Sequence, residues 1–254
     1  MRLPGIGAIR VWRRDLEVWK RFAITFVVAS LGEPLFYLLA MGYGLGRYVE
    51  NIGGLPYVVF LAPGIIASAA MNSASVEATF GSYTRMAEQQ TYAAILATPC
   101  SVADIVAGDI LYAASKGAAA SMFVMLVTAP LGVLHGPWVP ALLPTALLEG
   151  LMFGALGVAV TARAPSYDFF NYYFTFGISV MFLFAGVFFP LETLPAWAQV
   201  VAWCLPLTHA VAAARMLAGG HVTPAILVHL AWMAGVAGAA FVVAERLVRR
   251  RLIV

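Results

Sequence analysis

The chain has 254 residues, 62% of them hydrophobic and 11% charged, with a mean hydropathy of +0.89. Soluble domains carry about 25% charged residues, so this composition excludes a water-soluble globular protein and places the chain in a bilayer. The net charge is only +3, so where the cations sit matters more than their sum, and the length suits about six crossings rather than twelve.

Residues 1–21 read as an interfacial helix. At about 100° per residue, Ile9, Trp12, Leu16, Trp19 and Ala23 share one face, and Arg10, Arg13, Arg14, Glu17, Lys20 and Arg21 fill the opposite arc. The segment is too charged for a secretory signal peptide, so the first crossing is expected to serve as the insertion signal. That crossing spans 22–45, with a kink expected at Glu33-Pro34 and a small-residue ridge at Gly42 and Gly46. An outer loop leads to the second crossing, 57–80, whose far half turns polar through Asn72, Ser73, Ser75 and Glu77 and so must face protein or water.

An inner loop is expected over 81–108. Within it Thr91 to Ala97 forms a short amphipathic helix, with Tyr92, Ile95 and Leu96 on one face, stopped at Thr98-Pro99. Ser101 and Asp104 then make a capping box that starts the helix of the third crossing, 109–134. A short helix joined rigidly to two crossings suits a soluble motor that pushes on it; a plain connecting loop is the other reading. The fourth crossing, 138–160, carries a second ridge at Gly150 and Gly154. The fifth, 169–189, is uncharged and opens with the aromatic run Phe169, Phe170, Tyr172, Tyr173, Phe174 and Phe176. Such a run suits sugar rings, acyl chains and an interfacial belt alike. Residues 190–210 are too short to span, rich in Trp and bracketed by prolines, which describes an outer re-entrant hairpin stopped at Pro206. The last crossing is 226–244. Six Lys and Arg precede the first crossing and four close the chain, which puts both termini in the cytoplasm.

Glu33 and Glu149 lie roughly 18 Å and roughly 21 Å from the inner flank at 1.5 Å per residue. Lys116 is shallower, at the level of Glu77, its candidate partner. Intramembrane carboxyls either mark a pathway or sit protonated and bonded between helices, and both readings stand. Glu33, Tyr37, Glu149, Tyr172 and Tyr173 are the candidates for a substrate path.

Catalysis finds little support. The sequence has no HExxH and no recognisable Ser–His pairing, and Cys100 and Cys204 supply neither a metal cluster nor a disulfide framework. Tyr167-Asp168 and Gly108-Asp109 share residue pairs with intramembrane aspartyl proteases but come in the wrong order, and Val-Ala-Gly-Asp lacks the first glycine. Both aspartates are expected at helix entrances, where they complement the dipole. His209 is expected to be structural. No lysine stands in a Gly-Lys-Ser/Thr context, so the chain cannot bind ATP through a P-loop.

Several stretches together resemble the type-2 ABC exporter permeases. They are Arg14 to Arg21, Gly32-Glu33-Pro34-Leu35, Gly42-Tyr-Gly-Leu-Gly46, Phe60-Leu-Ala-Pro-Gly64, Ala164-Pro-Ser-Tyr-Asp168, Phe189-Pro190 and Leu205-Pro-Leu-Thr-His209. The resemblance covers nearly the whole chain and is strongest to the permeases of nodulation lipo-chitooligosaccharide exporters. It implies an all-α membrane protein forming one domain over 1–254, with six transmembrane helices, an interfacial helix, a cytoplasmic coupling helix and the outer hairpin. Glu88, Gln90, Thr91, Tyr92, Ile95 and Leu96 would then face a separate ATPase subunit, which would hold the ATP and magnesium; this chain itself is expected to bind no cofactor, metal or nucleic acid. A second copy of the chain and membrane lipid complete the implied partners, in a bacterial inner membrane. The implied function is export of a glycolipid, lipo-oligosaccharide or other amphipath. Alternatives are a drug or polysaccharide exporter on the same scaffold, or a non-transporting membrane assembly factor.

Overall fold

The computed structural model describes residues 3–49 and 51–253. The first two residues of the expected interfacial segment, Glu50 of the outer loop, and Val254 lie outside the described residues. Among the described residues, five helical stretches are long and apolar enough to cross a membrane: Ala23–Arg47, Tyr57–Glu88, Val102–Leu131, Val139–Thr161 and Ala225–Leu252. The chain is an all-α integral membrane protein. Among the described residues, the regular structure is helical apart from a two-residue hairpin, β1 (Asn51–Ile52) with β2 (Leu55–Pro56). Gly53 and Gly54 close it at φ of 61° and 82°, the positive values a two-residue turn of this kind requires.

Helix α1 (Ile6–Lys20) lies against α5 (Val102–Thr128). Its inward arc is Ala8, Val11 and Asp15, with Trp12 at the edge donating from Nε1 to Ser115 Oγ at 3.0 Å. Ile9, on the apolar face read from the sequence, is 56% exposed. Val11 approaches α5 closely at Gly108, where an added Cβ would sit 2.6 Å from Val11 Cβ. The Ser101–Asp104 capping box forms as expected, and Asp104 Oδ1 also accepts the Gly5 amide at 2.6 Å, pinning the start of α1 to the start of α5.

Helix α2 (Ala23–Tyr37) runs through Pro34 and then widens into π-helical turns over Leu38–Gly44. Gly42 and Gly46 face α3 (Tyr57–Val76), at Val58 and Tyr57. Otherwise α2 stands at the edge of the molecule, with Ile24, Val28 and Phe36 exposed. The expected inner loop 81–108 is mostly helical. The second crossing continues to Glu88 in π-helical turns, α4 (Thr91–Leu96) follows, and α5 begins at Val102. Ser82 and Arg85 are paired with Asp109 and Glu77 inside the bundle, which suits a backbone that remains helical there. Helix α6 (Leu142–Thr161) packs on α5 through the second glycine ridge; an added Cβ at Gly150 would lie 2.7 Å from Ala114 Cα.

The expected fifth crossing, 169–189, is a shorter helix. It comprises α7 (Phe169–Tyr172), π-helical turns and α8 (Ser179–Phe184), and it stops at Phe184. Gly186, at φ of 79°, turns the chain out of the helix, and Arg215 Nη2 holds the Gly186 and Val187 carbonyls while its guanidinium lies 3.8 Å from the Phe60 ring centre. The hairpin that follows has arms α9 (Ala196–Cys204) and α10 (Pro206–Ala218), bent by 88°. Pro206 opens the second arm rather than ending the first, because its missing amide and fixed φ suit the first helical turn. The arm runs past the expected limit at 210 and buries Leu207, Ala210, Val211 and Ala214. His209 ties it to α11 (Ala225–Leu252): its Nδ1 is 3.0 Å from His229 Nδ1, and its ring stacks on Trp232 at 4.3 Å.

Candidate functional site

Two regions hold polar side chains where a membrane helix ordinarily has none. The first surrounds α4. Beneath it, Arg85 reaches three acids: Glu77 Oε1 at 2.7 Å, Asp109 Oδ2 at 3.2 Å and Asp15 Oδ2 at 3.9 Å. Lys116 Nζ completes the group 2.6 Å from Glu77 Oε2, the pairing expected from their level in the sequence. Arg14 pairs with Asp15 at 2.9 Å, so three carboxylates meet three cations. Glu77 and Arg85 stand eight residues apart on one helix face, and Gly81 between them leaves the room: a Cβ there would collide with the Glu77 carboxylate.

Tyr92 connects α4 to this network by donating its hydroxyl to Asp109, which also accepts from Ser82 Oγ at 2.8 Å. Burial, together with the Asp109 carboxylate, pushes the Tyr92 hydroxyl well above its usual range, so it stays a donor. Burial likewise pushes Asp15 up to about 6, against the opposing pull of Arg85. Asp109 was expected to serve a helix entrance; it lies at the centre of the network instead, 1% exposed, because Arg85 and Tyr92 both converge on it.

This geometry turns α4 over relative to the expected orientation. Tyr92 is 2% exposed, and Ile95 and Leu96 are half-buried against the chain's own core. Their spacing does define one face, but that face meets the permease. Ala93, Ala94 and Ala97 form the outward face, continued by Glu88, Gln89 and Gln90. Gln90, at φ of 53°, makes the turn into α4 and donates from Nε2 to Ala87 O at 2.9 Å; Thr91 is half-buried beside it.

The second region is a pair of cavities against α2, of about 250 Å³ and about 370 Å³. Glu33 lines both, accepting from Asn72 Nδ2 at 3.3 Å. Tyr37 lines the smaller one, edge-on to Phe182 at 5.1 Å. The other path candidates are elsewhere. Glu149 is 1% exposed inside α6 and lines neither cavity, Tyr172 is 65% exposed, and Tyr173 turns to Ser75 with its hydroxyl 3.4 Å from Oγ. The structure therefore joins Glu33 and Tyr37 and separates the remaining three from them. Asp15, Arg85, Asp109 and Asn72 were missed as site residues. The only sequence sign of Asp15 is an acid among the cations of an amphipathic helix; Asn72 belongs to the polar half of the second crossing.

Neither region assembles a nucleophile with a base, and among the described residues no cluster of three or more His, Cys, Asp or Glu could hold a metal ion. What the arrangement provides is a mechanical link from a short surface helix into two long helices, beside a partly polar cleft.

Comparison with known proteins places the chain in a family. Residues 8–218 match the family model described as "ABC-2 type transporter". The chain is 38% identical to nodulation protein J of Rhizobium leguminosarum bv. trifolii, over 99% of this chain and 97% of that protein. It is 36% identical to nodulation protein J of Rhizobium meliloti (strain 1021), over 98% and 95%. To the inner membrane transport permease YadH of Escherichia coli (strain K12) it is 21% identical, over 85% and 84%. The chain belongs to the ABC-2 type transporter family, as a permease of the nodulation protein J group.

Proposed function

We propose that the chain is the membrane-spanning subunit of an ATP-driven exporter, working as a dimer of permeases above two separate ATPase subunits. The observation that carries this reading is the Tyr92–Asp109–Arg85 connection. Helix α4 is short and exposed on its outer face, yet its inner face is bonded to α5 and, through Arg85 and Glu77, to the extended second crossing and α1. A push on α4 would reach the bundle without being absorbed by a flexible linker. The ATPase meets the outward face, Glu88, Gln90, Ala93, Ala94 and Ala97, and brings its own ATP and magnesium.

The basic ends of α1 and α11 and the α4 segment lie on the cytoplasmic side of a bacterial inner membrane, with the hairpin outside. The cargo is an amphipath, in the first place a lipo-oligosaccharide or other glycolipid. Support comes from the nodulation protein relatives and from a cleft with an apolar wall and a polar floor. Purification of the tagged permease with the products of neighbouring genes tests this: an ATPase should be retained in stoichiometric amount, and its absence under several mild detergents would contradict the proposal.

A further inference from the structure

We infer that Glu33 reads the head group of the exported amphipath at the point where the two cavities meet, favouring uncharged or cationic head groups rich in O–H and N–H donors over anionic ones. This rests on the reading of the chain as an exporter's permease.

The larger cavity opens toward Trp19, Phe22 and Phe26 and reaches inward to Ser73 and Lys116; the smaller runs between Tyr37 and Phe182. Both are lined by Glu33, Pro34, Ala69 and Asn72, so a molecule passing from one to the other slides over Glu33. Among the described residues, the Glu33 side chain has a single hydrogen bond, the long one from Asn72. Glu33 is exposed on a helix that crosses the bilayer, where a carboxylate facing hydrocarbon is costly. Donors on a ligand would satisfy it.

Two further polar atoms belong to residues lining the larger cavity. Ser73 Oγ and Trp19 Nε1 are buried with no partner among the described residues. Lys116 does not make the cavity attractive to anions, because Glu77 already neutralises it at 2.6 Å. An anionic head group would therefore meet the Glu33 carboxyl oxygens with no cation free to compensate. At the mouth of the larger cavity, Phe22 is 62% exposed, and Trp19 and Phe26 meet edge-to-face at 5.2 Å. These rings give an acyl chain an apolar wall at the level of the interfacial helix.

The test is photolabelling of the permease–ATPase complex in nanodiscs of zwitterionic lipid. One probe is an N-acyl glucosamine with a diazirine in its chain, and the other is the same chain on a phosphate monoester. The glucosamine probe should label the peptide containing Trp19, Phe22 and Phe26 at least about tenfold more strongly, the ratio expected for one charge-assisted hydrogen bond. Unlabelled N-acyl glucosamine should compete, and the unlabelled phosphate should not. Glu33→Leu should remove the preference, whereas Glu33→Gln, which keeps an acceptor, should retain part of it. Equal labelling by the two probes, labelling confined to other helices, or competition by both would overturn the inference on wild-type protein alone, whatever the variants do. A complex that keeps its ATPase but shows any of these results leaves the permease reading standing; a chain that retains no ATPase removes the reading beneath the inference.

Discussion

Tyr92 on α4 and Asp109 on α5 are joined by a hydrogen bond inside the molecule, and Asp109 is also held by Arg85 and Ser82. A short surface helix and a long helix of the bundle therefore share one buried carboxylate. Displacing α4 outward either drags α5 with it or strips a buried acceptor of its donor.

If the two residues act through that bond, they are coupled energetically. Tyr92→Phe should cost about 1–3 kcal/mol, since it leaves a buried acceptor one donor short. Asp109→Asn should cost at least as much, because Arg85 loses a charged partner. The double variant should be less destabilised than the sum of the two by about 1 kcal/mol or more. Unfolding of the detergent-solubilised protein in a double-mutant cycle reads this directly, and strict additivity would sever the link.

Arg85 holds three acids together, so removing it should be worse than removing any one acid. Arg85→Met leaves Glu77 with Lys116 alone and Asp109 with no cation, a loss of about 3–5 kcal/mol by the usual penalty for an uncompensated buried charge. Glu77→Gln should cost less, because Arg85 retains Asp109. The ranking is checked by thermal unfolding midpoints, and equal midpoints would contradict it.

Asp15 gives the fold a pH dependence of known sign. Its carboxyl is pushed from 3.8 up to about 6, so between these values the native state holds more protons than the unfolded chain. The contribution of this group to stability should fall as pH rises from about 4 to about 6 and level off above. Asp15→Asn should flatten that slope. Stability curves for the two proteins over this range make the comparison, and a wild-type slope unchanged by the substitution would show that another group sets it.

Much of this architecture is legible in the sequence. The apolar runs announce the long helices, the Ser101–Asp104 box announces the start of α5, and the glycine pairs at Gly42/Gly46 and Gly150/Gly154 announce the close contacts they make. The failures share a physical origin. Arg85, Asp109 and Asp15 read as loop, cap and interface residues because each is favourable alone only in water; together they neutralise one another and can be buried in helices. Tyr92 looked like a docking residue because its spacing marks an apolar face without saying which body that face meets. Pro206 read as a stop because one proline can end a helix or begin one. Glu33 and Glu149 have the same composition signal at similar depth, and only packing separates a cleft from a sealed helix interface.

Topology has its own test in the two cysteines. Cys100 lies between α4 and α5, and Cys204 is exposed at the end of α9. Membrane-impermeant maleimides should modify Cys204 from outside the cell and Cys100 only in inverted vesicles. Modification of both from one face would overturn the assigned orientation.

The central claim is that α4 passes the work of an ATPase into the bundle, and its outward face tests it most directly. Ala94→Asp and Ala97→Asp place charges outside the bilayer on the exposed face of α4, so insertion and unfolding midpoint should match the unsubstituted protein. Burying either carboxylate against a docked subunit should cost several kcal/mol. The measurement is transport-coupled ATP hydrolysis, with ATPase retention, by the complex reconstituted in liposomes. Both should collapse in the two variants while the permease remains folded; full retention and undiminished coupled hydrolysis in both would show that α4 is not where the motor acts.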